Sequence, residues 1–103
     1  MKTFLCVLAF FLLQPIQGYP GKVLRSFPLP GKYCTGLTFD GSALWVADYK
    51  NDSIYKLDPA AGIVLHKIAS PGFWPMGLAW DGKYLWNIDK QQKKIYQIDP
   101  ADG

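Results

Sequence analysis

The acid–base equipment of this 103-residue chain is narrow: eight aspartates, no glutamate and one histidine, His66. Clustered carboxylates could serve general acid–base chemistry or hold a hard cation, and a cysteine beside a histidine could act as a nucleophile. Most of the aspartates already have another post. Asp40 and Asp81 stand in Asp-Gly pairs, Asp58 and Asp99 precede proline, Asp52 follows Asn51, and Asp102 precedes Gly103; in each context the carboxylate serves a turn. Asp48 and Asp89 remain. Each closes an apolar run and suits either backbone hydrogen bonds in the following loop or one oxygen of a calcium site. Calcium takes about six to eight oxygens, more than cluster here, so the structural role is favoured and no metal or cofactor is expected. Cys34 lacks a His or Asn constellation and reads as a small apolar filler.

Recognition is the other chemistry on offer. Residues 28–35 (PLPGKYCT) and 69–76 (ASPGFWPM) both keep Pro-Gly, and with the segments after Asp48 and Asp89 they carry Lys32, Tyr33, Tyr49, Lys50, Phe73, Trp74, Lys90 and Gln91. Aromatic faces beside ammonium and amide groups suit a carbohydrate or peptide ligand. The alternative is that Tyr33 and Trp74, which occupy equivalent places, wedge between packed units and bind nothing.

What must position these groups is a repeat. Residues 36–48 (GLTFDGSALWVAD) return as residues 77–89 (GLAWDGKYLWNID), and 22–62 align with 63–103 without a gap, at 17 identities in 41 positions. Gly, Pro, Asn and Asp recur so often that no apolar stretch of the repeat reaches helical length, which predicts short strands. Four are expected per unit. The first are residues 37–40 and 78–81, each running into Asp-Gly, a dipeptide that accepts the positive φ of a tight hairpin. The second are 43–48 and 84–89, and the third are 53–58 and 94–99, ended by a proline that cannot donate to a ladder. Residues 63–68 (IVLHKI) make a fourth strand for the first unit, which places His66 on an outer surface. Their counterpart, residues 22–27 (KVLRSF), precedes everything.

A period of about 40 to 45 residues with four short strands is that of a β-propeller blade. The fold class expected is therefore all-β: two four-stranded β-propeller blades of 41 residues, the first at 36–68 and the second at 69–103 without its fourth strand, after an N-terminal strand and loop at 19–35. Phe39, Leu44, Trp45, Trp80, Leu85 and Trp86 are the candidate packing residues between blades. Two blades cannot close a ring of about four to eight. Either the chain is the N-terminal fragment of a longer protein, the preferred expectation, or three copies form a six-bladed homotrimer in which each lends residues 22–27 to its neighbour. The expected partners are thus further blades, in cis or in trans. In such a ring the recognition loops named above surround one mouth of the channel.

Residues 1–18 read as an export signal. Lys2 precedes a ten-residue apolar run at 4–13 (FLCVLAFFLL), Gln14-Pro15 breaks it, and Gly18 offers a small residue for cleavage. The run is half the ~20 residues that span a bilayer, so no stable membrane insertion is expected after cleavage, and the location expected is secreted or periplasmic. Cys6 leaves with the signal, and Cys34 stays unpaired. The remaining 85 residues hold ten basic and eight acidic side chains, with no basic block longer than Lys93-Lys94, which argues against a nucleic-acid partner. A chain of this size hides only about 60% of its unfolded surface, so it is marginal without neighbours.

The pattern Gly-Leu-x-Phe/Trp-Asp-Gly-x-x-Leu-Trp-x-x-Asp, then Ile-Tyr-x-Leu/Ile-Asp-Pro-Ala-x-Gly, resembles the blades of secreted bacterial propellers. These are the NHL-like, streptogramin-lyase-like and YVTN-type repeats and the glutamine cyclotransferase family. The match covers residues 22–103. It implies the architecture more than an activity, because the shared residues are those that every blade repeats. The expectation is an exported, non-catalytic propeller module serving protein or glycan binding. The alternative is part of a propeller enzyme of the glutamine cyclotransferase or streptogramin-lyase-like type, whose catalytic residues lie in other blades; no catalytic constellation is visible in this chain.

Overall fold

The structure, a computed structural model, describes residues 21–101. The expected export signal, Cys6 and Asp102 lie outside the described residues. Seven strands follow in order: β1 (Cys34–Phe39), β2 (Leu44–Asp48), β3 (Ser53–Leu57), β4 (Val64–Ala69), β5 (Pro75–Trp80), β6 (Leu85–Asp89) and β7 (Lys94–Ile98). They form two antiparallel sheets, β1-β2-β3-β4 and β5-β6-β7, and no helix occurs among the described residues. The protein is all-β.

The Asp-Gly turns set the register. Gly41 and Gly82 take φ of 99° and 103°, a region that side chains rarely enter. In each turn one aspartate oxygen accepts two backbone amides, those of Ser42 and Ala43 at Asp40 and those of Lys83 and Tyr84 at Asp81, all at 2.7–2.8 Å. The other oxygen accepts the indole N–H of Trp45 or Trp86, at 2.8 and 2.7 Å. The spacing Asp-Gly-x-x-Leu-Trp therefore has a physical reason. The carboxylate closes the hairpin and satisfies the one polar atom of the tryptophan on the next strand, which in the first sheet is buried.

From those turns the same pairings run through both sheets: Phe39 opposite Leu44 and Trp80 opposite Leu85, Leu44 opposite Leu57 and Leu85 opposite Ile98. The first strands start earlier than the sequence predicts, at Cys34 and Pro75, because each resumes pairing with Asp48 or Asp89 beyond a bulge. The bulge is wider in the second sheet. There the Asn87 amide donates to the Gly77 carbonyl at 3.0 Å, while Asn87 Oδ1 is buried without a partner.

Alternation then sends Trp45, Ala47 and Ile54 to one face of the first sheet, where Ile68 joins them. This face packs on Leu85 and Ile98 of the second sheet, flanked by Leu78, Trp80 and Tyr96. Gly36 lies at the seam between β1 and β5. A Cβ there would collide with the carbonyl of Met76, so only glycine lets the two backbones approach. On the opposite face of the first sheet Val46, Tyr55 and Leu57 form a smaller cluster with Phe27, Cys34 and Leu44.

Two expectations are corrected. Residues 22–27 form no strand in this chain, because no neighbouring edge offers them a ladder; instead Phe27 lies against the first sheet. Nor are all six candidate packing residues equally enclosed. Trp45 and Leu85 are buried and Trp80 packs beside them, but Phe39 is 50% exposed and Trp86 is only partly covered, because each points away from the single seam between sheets.

Burial raises the Asp40 carboxyl, but hydrogen bonds from Trp45, Ala43 and Ser42 outweigh it and bring the carboxyl from 3.8 down to about 2. The same kind of bonds, first that from Tyr84, lower Asp81. A carboxyl depressed in the fold contributes stability that is full above the unfolded value and is lost as pH falls through the folded one. The urea midpoint is therefore expected to drop between pH 4 and pH 2, and to drop less steeply in Asp40→Asn; equal slopes in the two proteins would contradict this role.

Candidate functional site

The loops entering β1 and β5 and the turns leaving β2 and β6 meet at one end of the sheets. Backbone hydrogen bonds tie them in the same way twice: the Tyr49 amide donates to the Tyr33 carbonyl at 3.2 Å, and the Lys90 amide to the Trp74 carbonyl at 3.0 Å. Asp48 and Asp89 sit beneath, both fully buried. Asp48 Oδ1 accepts the amides of Lys50 and Asn51 at 3.0 and 3.1 Å, and Oδ2 accepts the Asn51 side-chain amide at 3.0 Å. Asp89 accepts the Gln92 amide at 2.7 Å and the Trp74 amide at 2.8 Å. Burial works to raise the Asp89 carboxyl, yet the amides of Gln92 and Trp74 leave it below its ordinary value.

Gly31 and Gly72 lie directly over these carboxylates, and a Cβ at either position would overlap its aspartate oxygen. That explains the second glycine pattern of the repeat: the loop must press its backbone onto the carboxylate that organises it. The turns after Asp48 and Asp89 then put Asp52 and Lys93 at positive φ, 50° and 57°. Asp48 and Asp89 thus act as loop anchors, with their acceptor oxygens facing amides.

Above the anchors, aromatic rings stack across the seam. Tyr49 lies parallel to Trp74, with centroids 5.3 Å apart and planes 7° apart, and meets Tyr33 edge-on at 5.4 Å and 63°. Lys50 Nζ sits 4.8 Å from the Tyr33 ring centre and Lys90 Nζ 5.4 Å from that of Trp74. The structure therefore brings together five of the eight candidates, Tyr33, Tyr49, Lys50, Trp74 and Lys90. Lys32, Phe73 and Gln91 are exposed on the same loops, and Phe73 keeps 63% of its surface open.

Tyr33 and Trp74 do wedge against a neighbour, with Tyr49 as the spacer between them. One face of Trp74 is taken by Tyr49, so a ligand meets ring edges, Phe73 and ammonium groups before it meets a free stacking face. The Cys34 thiol lies below the loop and is raised by partial burial, which opposes thiolate chemistry; its Sγ bonds the Gly31 carbonyl at 3.4 Å. His66 is exposed on β4, away from these loops in the fold.

Sequence reasoning did not single out Asn51, whose side chain completes the Asp48 anchor, nor Asn87, which replaces the repeat's Val46. Both were visible as differences between the two copies, because Asn51 is matched by the longer Gln92 and Asn87 by the apolar Val46. No protein-family model matches the chain, and no curated protein matches it.

Aromatic pairs add about 0.5–1.5 kcal/mol each beyond their buried area. Tyr49→Ala, which removes both pairings, is expected to destabilise the protein by about 1–3 kcal/mol. Phe73→Ala should stay within about 0.5 kcal/mol of wild type, as exposed sites do. Urea denaturation of the two variants checks the difference; equal losses would place Phe73 in the packing as well.

Proposed function

We propose that the chain is an exported, non-catalytic repeat module of a β-propeller, and that its loop end binds an anionic protein or glycan surface. The propeller reading is supported by the 41-residue period, by pairings that repeat from sheet to sheet, and by a seam in which the back of one unit covers the front of the next. The resemblance to NHL-like, streptogramin-lyase-like and YVTN-type blades, and to those of glutamine cyclotransferases, points the same way. Export to a secreted or periplasmic location rests on the apolar run at 4–13.

One observation carries the binding proposal: the loop end turns Asp48 and Asp89 inward and its ammonium groups outward, leaving Asp52 as a half-buried carboxylate among three exposed lysines. Asp48 and Asp89 are buried and bonded to amides, whereas Lys32, Lys50 and Lys90 are exposed, two of them held over aromatic rings. A ligand carrying carboxylate, sulfate or phosphate groups meets attraction here with little opposing charge, and Phe73 adds apolar contact at the rim.

Lys50→Gln combined with Lys90→Gln keeps the side-chain length and removes the charge. Binding of a sulfated polysaccharide or a polyglutamate peptide, measured by calorimetry, is expected to weaken about ten-fold or more in this variant, and also when salt is raised in the wild type. Unaltered affinity in the double variant, or equal binding of neutral dextran, would overturn the proposal.

A further inference from the structure

A shift of 41 residues carries β1, β2 and β3 onto β5, β6 and β7, and carries residues 22–27 onto 63–68 at the outer edge of the first sheet. Among the described residues β7 has no strand on its outer edge. The cost is visible at one position. Ile54 of β3 pairs with Ile68 of β4 and is covered by the second sheet, whereas its counterpart Ile95 of β7 has neither among the described residues and is 68% exposed.

Residues 22–27 are not placed at random. Phe27 packs beside Leu44 and Leu57, just as its counterpart Ile68 packs beside Leu85 and Ile98. Arg25 donates to the Pro59 carbonyl at 3.2 Å, and its counterpart His66 shares a cleft with Pro100. The segment thus sits, relative to the first sheet, where β4 sits relative to the second. It occupies the place of an outer strand whose three inner strands are absent.

We infer that β5, β6 and β7 of a second copy of this chain supply those inner strands, lying on the open face of the first sheet and taking residues 22–27 as their fourth strand. This deepens the propeller reading and rests on it. The occupant is a copy of the same chain because the complementary surface is already displayed at the other end of the molecule. Leu37, Phe39 and Leu44 line the open front, and Trp86, Ile88 and Ile95 line the open back. Gly77 makes the clearest case. Gly36 is bare because the Met76 carbonyl of the next unit lies against it; Gly77, its counterpart, has only Ile88 Cδ1 within reach and leaves the same room for the Thr35 carbonyl of a second copy.

The internal pairings fix the register. Ile68 faces Ile54, Lys67 faces Tyr55 and His66 faces Lys56, so Phe27 falls opposite Ile95, Ser26 opposite Tyr96 and Arg25 opposite Gln97 of the second copy. Such a contact is head-to-tail, and each copy both gives and receives a strand.

Cysteine cross-linking tests the register directly. Arg25→Cys and Gln97→Cys, both at exposed sites and each made in a Cys34→Ala background, are mixed and oxidised. The mixture is expected to yield at least ten-fold more disulfide-linked pair than either variant alone, and more than a mixture of Arg25→Cys with Ser42→Cys. Light scattering on the wild type should show a mass above that of the monomer. No preferential cross-link, or a monomer that retains its β-sheet spectrum at high concentration, would overturn strand donation while leaving the stacked-module reading in place. A monomer whose β7 amides resist hydrogen exchange would assign the edge to another segment of the same chain, and would overturn exchange between copies too. Loss of the sheet spectrum in the wild type would remove both readings.

Discussion

A short antiparallel sheet has two faces, and this protein depends on covering one sheet's face with the next sheet. Trp45 is where that requirement is concentrated. Its ring fills the seam at 1% exposure and its N–H is satisfied by Asp40, so the largest side chain in the repeat is buried without leaving a polar atom stranded. Full burial of a side chain of this kind is worth about 1.5–3 kcal/mol, which is large against the margin available to a small chain. Gly36 serves the same seam from the backbone side. Trp86 makes the same bond to Asp81, but it faces outward and has no sheet to fill.

The carboxylates make the local structure that holds those faces in register. Asp40 and Asp81 close hairpins, Asp48 and Asp89 gather loop amides, and Asp58 and Asp99 accept amides two residues on, from Ala60 and Ala101. At Asp40, Asp81 and Asp89 these donors stabilise the ionised form and hold the carboxyl below its ordinary value, which makes each a poor general base. The consequence for recognition is indirect. With Asp48 and Asp89 turned inward at the loop end, the exposed groups there are lysines, amides and aromatic rings beside a half-buried Asp52, and the sign of the surface follows from where the fold needed its acceptors.

Much of this was legible in the residues. Asp-Gly marked both hairpins, Asp-Pro the ends of the third strands, and the 41-residue shift the equivalence of the two units. The anchoring role of Asp48 and Asp89 followed from their places at strand ends. The starts of β1 and β5 were not legible, because a bulge lets pairing resume beyond the apolar run that marks a strand. Residues 22–27 read as a strand because their pattern matches β4, but a strand also needs an edge to pair with, and pattern carries no information about edges. At the loops, the eight candidates were all placed at one end, yet only the fold separates Trp74, stacked on Tyr49, from its neighbour Phe73, which stands open.

Taken alone, the sequence determined the all-β class, the turn positions, the duplicated unit and the residues available at the loop end, since each depends on local backbone preference or on period. Tertiary structure decided which of two equivalent residues is buried: Trp45 over Trp86, Ile54 over Ile95, and the crowded Gly36 over the open Gly77. The physical reason is that burial belongs to a pair of surfaces. Identical side chains on identical strands differ once one has a neighbouring sheet and the other has only solvent.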